Sequence, residues 1–297
     1  MNPSFDSSRV KRQFIDGQHG QLHLRVAGRQ HEHENKKPAV LCLHMMPKSG
    51  RGFARLLPEL AKDRLVIAPD YPGYGESDHY PLGYAPSIAD YADAIYQVIE
   101  HFNLEQVHLL GYHTGSMVAV DLALRYPSIV GKLINISAPI LSTKEADDFK
   151  QYFEPIPLDK AGTRFSTMWE RVIHYRGPGM TLEMAAISMA ENLRGGDAYE
   201  DGHYAAFDYS QQYKEDLGRI DQPVLVMNLG DDLCEHSKRV DAYLNNGRRV
   251  DYPHWGHGFL ELWPDQAAEV MLNFFDSELV WRNVLVSQAR MKRGKLS

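Results

Sequence analysis

With only two cysteines in 297 residues, Cys42 and Cys234, the chain has no disulfide framework. Both lie in or just after apolar runs that read as strands, so a buried, reduced thiol is expected at each. No stretch approaches the roughly 18 consecutive apolar residues of a membrane span. Met1–Asp6 lacks the charged start and apolar centre of an export signal, which predicts a cytoplasmic protein. An excess of positive charge is missing too: 32 Lys and Arg against 39 Asp and Glu leave a net charge of −7. That balance argues against a nucleic-acid or anionic-membrane partner and leaves a small molecule as the expected one. The basic run Arg290–Lys295 is the exception and reads as a solvated terminus. Internal repeats and low-complexity tracts are absent, and the oligomeric state is left open.

The apolar residues that are present fall in short runs. Ala39–Leu43, Leu65–Ala68, Val107–Leu110, Lys132–Ile136 and Val224–Met227 predict strands buried on both faces. Phe14–Ile15 and Leu22–Val26, around Gly17 and Gly20, predict an antiparallel hairpin. Between the runs lie segments of helical period: Ser87–Asp90 looks like a capping box opening a helix through Ile99, and Ser116–Leu124 repeats the spacing. Such alternation predicts an α/β fold, a mostly parallel twisted sheet flanked by helices on both faces. From about Leu141 to Leu217 the alternation stops, and helix-like stretches are broken at Pro155, Pro157, Gly177 and Pro178. The expected organisation is a core of residues 1–140 and 218–297 with a helical cap, 141–217, inserted over the carboxyl ends of the strands, where open α/β sheets bind ligands.

One motif bears directly on chemistry. Gly111, Tyr112, His113, Thr114 and Gly115 follow a strand-like run and precede a helix-like one, the setting of a nucleophile elbow. An elbow holds its central residue in a strained turn whose neighbours have no room for side chains, hence glycine on both sides. The central residue here is histidine, whose imidazole attacks only through an unprotonated ring nitrogen.

Four further segments fall in a telling order: His44, Met45, Met46 and Pro47 after the first buried strand; Asp70–Ser77, a Pro-Gly-rich loop; Asp231 and Asp232 after the strand that follows the insertion; and Trp255–Phe259 around His257. Together with the elbow, this order resembles the α/β-hydrolase superfamily over nearly the whole chain, particularly its capped branch of epoxide hydrolases, haloalkane dehalogenases and related esterases. The resemblance implies a cofactor-free enzyme hydrolysing an ester or comparable bond in a small organic molecule. It implies backbone N–H groups of Met46 and Thr114 as the oxyanion hole and a structural role for the Asp70–Ser77 loop. His257 is then the base and Asp232, by its spacing from Pro223, the acid that orients it, with Asp231 a rival. The chain departs from the family twice: His113 stands where serine, aspartate or cysteine is usual, and Met45 where glycine usually follows the oxyanion-turn histidine.

Three roles are open to His113. It is a nucleophile forming a labile acyl-imidazole, a base or donor in a lyase-like or oxygenase-like reaction without a covalent intermediate, or a packing residue in a small-molecule-binding protein. His44, Met45, Trp169, His174, His203 and Trp255 are candidates for the pocket wall, whereas His108, within a strand, reads as core. His44, His113, His257 and Asp232 offer metal-ligating groups, but a relay sets its histidine between two partners and does not aim all of them at one ion. None of these residues belongs to an HxxxH pair, and no metal is expected.

Overall fold

The computed structural model describes residues 10–28 and 37–278; the Met1–Asp6 and Arg290–Lys295 segments lie outside them. Strands β1 (Lys11–Gly17) and β2 (Gly20–Ala27) form the expected hairpin, Lys11 pairing with Val26 and Gly17 with Gly20. The other strands are β3 (Ala39–Leu43), β4 (Val66–Pro69), β5 (Val107–Tyr112), β6 (Val130–Ile136), β7 (Val224–Leu229) and β8 (Gly247–Tyr252). They join one eight-stranded sheet in the order β1-β2-β4-β3-β5-β6-β7-β8. β2 meets β4 antiparallel, and every pairing from β4 to β8 is parallel, so the sheet is mostly parallel as expected.

Helices α1 (Leu56–Leu60), α2 (Ile88–His101) and α3 (Thr114–Arg125) precede β6. α4 (Thr143–Tyr152), α5 (Thr163–Tyr175), α6 (Leu182–Arg194) and α7 (Asp201–Leu217) lie between β6 and β7. α8 (Cys234–Ser237), α9 (Phe259–Leu262) and α10 (Pro264–Phe275) are the remaining α-helices among the described residues. The two-residue period of a strand sorts the sheet's side chains into two cores. Leu41 and Leu43 pack with Ile95 and Val98 of α2, Met117 of α3 and Tyr213 of α7. Val40 and Cys42 pack with Leu56 of α1 and Met271 of α10 on the opposite face.

Local chemistry fixes the helix starts. Ser87 Oγ accepts from Asp90 N while the Asp90 carboxylate accepts from Ser87 N, so both halves of the capping box form and α2 begins at Ile88. Ile88, Tyr91, Ala92, Ile95, Val98 and Ile99 then bury one face at helical spacing. The Asp70 carboxylate, 1% exposed, accepts from Gly50 N at 2.7 Å and Glu76 N at 2.9 Å and meets His23 Nδ1 at 2.8 Å. It closes the loop that follows β4 without facing the cavity described below, in keeping with a structural reading. Cys42 is buried, and Cys234, half-buried, opens the short α8 rather than following directly on a strand.

Candidate active site

Strand β5 delivers His113 into a turn with φ +47° and ψ −112°, and α3 starts at the next residue. A Cβ on Gly111 would stand 2.3 Å from the carbonyl oxygen of Gly115, and one on Gly115 would stand 2.1 Å from that of Leu43. Only glycine fits at either place, which is the steric reason for the motif. The turn is pinned by His113 N donating to Ile136 O at 3.0 Å and by Ser116 N donating to His113 O at 2.8 Å. A non-glycine residue held at positive φ is strain that the surroundings must impose.

β6 is followed by a matching strained residue, Ser137, at φ +48°. Its Oγ donates to Asp231 Oδ2 at 2.6 Å, and Leu233 N donates to Asp231 Oδ1 at 3.0 Å. His113 Nε2 lies 3.1 Å from the same Oδ2. The Asp231 side chain is 0% exposed. Burial alone would raise its pKa, but the hydrogen bond and charge of His113, the charge of His257 and the Ser137 hydroxyl hold it below the usual carboxylate range. An ionised carboxylate only accepts, so the hydrogen bond between them places its proton on His113 Nε2.

The second pair stands beside the first. His257 Nε2 lies 2.7 Å from Asp232 Oδ1, and the His257 and His113 rings meet edge to face with centroids 5.3 Å apart. Burial would lower the pKa of His257, but its hydrogen bond to Asp232 and the charges of Asp232 and Asp231 outweigh this and raise it. Asp232 is lowered, burial being outweighed by the same hydrogen bond and by both imidazolium charges. The relay expected from the motif order, with His257 between His113 and Asp232, is therefore replaced by two histidine-aspartate pairs, and both neighbouring aspartates are engaged. One donor atom from each of the four side chains lies within 4.8 Å of every other, a spacing and donor set that suit a metal ion, contrary to the relay geometry argued above.

His113, Asp232 and His257 line a cavity of about 260 Å³ at the carboxyl ends of the strands, with Asp231 buried behind them. Met46 and Thr114 line it, and Thr114, as first residue of α3, has one of the helix's unclaimed N–H donors by position. His44, Met45 and His203 line it as expected, and Phe149, Phe153, Met184 and Phe207, all between β6 and β7, contribute apolar side chains to its wall. His44 also bridges loops, since its Nε2 accepts from Tyr71 N at 3.1 Å and its Nδ1 donates to Met45 O at 3.0 Å. Trp169, His174 and Trp255 are not on the wall. On α5 the wall is carried by Arg171, Val172 and Tyr175, at helical spacing that turns Trp169 aside and leaves His174 exposed. Trp255 stacks between Tyr252 and Phe259 at centroid distances of 4.8 and 5.2 Å.

Two contributors escape motif reasoning. Ser137 is visible only as the residue immediately after a buried strand. Lys48, next to the oxyanion turn, donates to Ser188 O at 2.9 Å, to Ser188 Oγ at 2.6 Å and to Asn192 Oδ1, all on α6. Burial pushes its amine down to about 8, against the charges of Glu191 and Glu261.

The strained turn at His113 follows β5, the Asp231–Asp232 loop follows β7, His257 follows β8, and four α-helices lie between β6 and β7. The family model for the alpha/beta hydrolase fold matches residues 38–262, and the chain belongs to that family. A serine hydrolase-like protein of Mus musculus is 33% identical over 135 residues, which are 45% of this chain and 42% of that protein. A probable serine hydrolase of Drosophila melanogaster is 34% identical over 102 residues, 34% of this chain and 31% of its own length, so the match spans less than half of either relative. Epoxide hydrolase A from Mycobacterium thermoresistibile superposes with TM-score 0.70 at 20% identity, covering 92% of this chain and 100% of that one. An esterase from Exiguobacterium antarcticum does so with TM-score 0.71 at 20% identity, covering 89% and 99%. These two likenesses concern the fold. No helix among the described residues is long and apolar enough to cross a membrane.

Proposed function

We propose that this chain hydrolyses an ester or comparable acyl bond in a small, largely apolar molecule, with water rather than an imidazole as the attacking group. The observation that carries the reading is the pair of histidines, each backed by its own carboxylate, 5.3 Å apart at the floor of an apolar-walled cavity. A carboxylate on one ring nitrogen strengthens the other as a base and fixes the ring, and with Nε2 engaged by Asp231 the role that suits His113 is base rather than nucleophile. Water loses a proton to an imidazole as its oxygen bonds to the acyl carbon. The oxyanion is held by the N–H groups of Met46 and Thr114, and the imidazolium returns the proton to the alkoxide as the carbon–oxygen bond breaks. Segment 141–217 acts in this reading as a cap that keeps bulk water out. Membership of the α/β-hydrolase family and the serine hydrolase-like relatives support hydrolysis as the reaction class. The cytoplasmic setting rests on the sequence alone.

The test is a panel of aryl and alkyl esters with the wild type, His113→Ala and His257→Ala. Each substitution is expected to lower kcat/KM by about 10²- to 10⁴-fold, and quenched turnovers should show no acyl adduct by intact mass. An adduct on His113 would reassign it as the nucleophile. Equal rates in all three proteins would remove the site from the reaction.

A further inference from the structure

We propose that His113, Asp231, Asp232 and His257 bind one divalent first-row transition-metal ion of zinc or ferrous character. The inference goes beyond the hydrolytic reading, because it concerns what these four side chains hold whatever the substrate.

Its first support is which nitrogen each histidine uses. A relay histidine spans two partners with two different nitrogens, and only one of its atoms points at the acid. Here both histidines direct Nε2 at a carboxylate oxygen, 3.1 Å away in one pair and 2.7 Å in the other, and one donor atom from each of the four side chains lies within 4.8 Å of the other three. Metal–ligand bonds of about 2.1 Å set neighbouring donors about 3.0 to 3.4 Å apart and opposite ones about 4.2 Å, so the cluster reaches coordination distances by shifts of under about 1 Å per side chain. The second support is charge. Two carboxylates side by side, one with a fully buried side chain, need positive charge between them and the imidazoles, and either two protons or one dication supplies it.

The surroundings match a ligand set. Asp231 is held from behind by Ser137 Oγ and Leu233 N, the sort of outer contact that orients metal-ligating carboxylates. His113 and Ser137, both at strained positive φ, immediately follow adjacent strands and contact the same oxygen. Two imidazoles and two carboxylates without a thiolate suit Zn²⁺, Fe²⁺ or Mn²⁺ and are poor for Mg²⁺ or Ca²⁺, which prefer oxygen alone. Asp232, its side chain 29% exposed, lines the cavity and so is reachable from it.

Tag-free protein, stripped with a chelator, would be dialysed against Zn²⁺ and the bound metal counted, with Co²⁺ as a spectroscopic probe. The expected result is one Zn²⁺ per chain and a visible Co²⁺ absorption that Zn²⁺ displaces. Asp232→Asn and His257→Gln should each weaken binding at least tenfold with circular dichroism unchanged, and His174→Gln, at an exposed residue off the site, should not. Absence of saturable one-to-one binding, or binding unaltered in both site variants, overturns the proposal. Ester hydrolysis by protein that binds no Zn²⁺ would sink the metal site and spare the hydrolytic reading; Zn²⁺ held at these residues with no turnover of any ester would do the reverse.

Discussion

At the scale of single residues, the site departs from a three-member relay because adjacent aspartates serve different histidines. Asp231 is turned inward by its bond from Leu233 N and meets His113, while Asp232 faces the cavity and meets His257. Asp231→Asn and Asp232→Asn should therefore both reduce turnover, each by about 10²- to 10⁴-fold, since both change the tautomer and charge of a histidine. The pairing itself is testable in chelator-treated protein by double-mutant cycles. Asp231→Asn should add little to His113→Ala, and Asp232→Asn little to His257→Ala, whereas combinations across the pairs should come closer to additive. Strong coupling across the pairs in metal-free protein would contradict two separate pairs. The motif order named Asp232 and His257 together but could not assign Asp231 to His113, because neighbouring residues on a loop diverge according to tertiary contacts. Those contacts, Ser137 after β6 and Leu233 within the loop, leave no pattern in the chain.

At the scale of elements, the legible parts are those whose burial is complete. β3, β5 and β7 bury every residue and appear as apolar runs, interrupted only at His108 in β5 and Asn228 in β7, and the Ser87 capping box marks the start of α2. β8 was not legible: it is a half-exposed edge strand whose sequence is Gly-Arg-Arg-Val-Asp-Tyr, with Arg249 paired to Asp241 and Asp251. Nor could the wall-lining face of α5 be chosen from the sequence, since Trp169 and Val172 both fit an apolar stripe. Lys48 shows what an element gains from one such hidden contact. Its three hydrogen bonds fasten α6 to the loop that carries Met46, and Ser49 Oγ adds a bond to Glu191 of the same helix. Lys48→Met is expected to raise amide exchange in α6 by about tenfold, roughly 1.4 kcal/mol of lost docking, while α3 keeps its protection. Hydrogen exchange read by mass spectrometry checks this, and unchanged exchange in α6 would mean the helix is held by apolar contacts alone.

At the scale of the whole molecule, buried neutral histidines set the acid side of the stability curve. His108 is 6% exposed, stacks on Phe275 at 5.0 Å and accepts from Lys132 N at 3.1 Å. Burial, with the charges of Lys132 and Arg64, lowers its pKa from 6.5 to about 4. The unfolded chain therefore binds a proton there that the folded chain refuses between those two values. Stability from this residue is complete above pH 6.5 and is lost as pH falls toward 4, by about 3 kcal/mol in order of magnitude. His203, lowered to about 4 chiefly by burial, acts with the same sign, as does His44, whose shift is also downward. His257 opposes them: its raised pKa gives a contribution present at and below pH 6.5 that fades as pH rises through the folded value. Carboxylates with lowered values, such as Asp70, lose their contribution only as pH falls below about 4, so the window from pH 6.5 to 4.5 belongs mainly to the histidines. His108→Gln keeps an acceptor for Lys132 N but removes the titration. Urea denaturation across this window should give the variant a stability loss on acidification smaller than that of the wild type by about 2 to 3 kcal/mol, whatever its absolute stability at pH 7. Parallel curves for the two proteins would show that His108 takes up its proton without unfolding, and would place the acid sensitivity on His203 and the cavity floor instead.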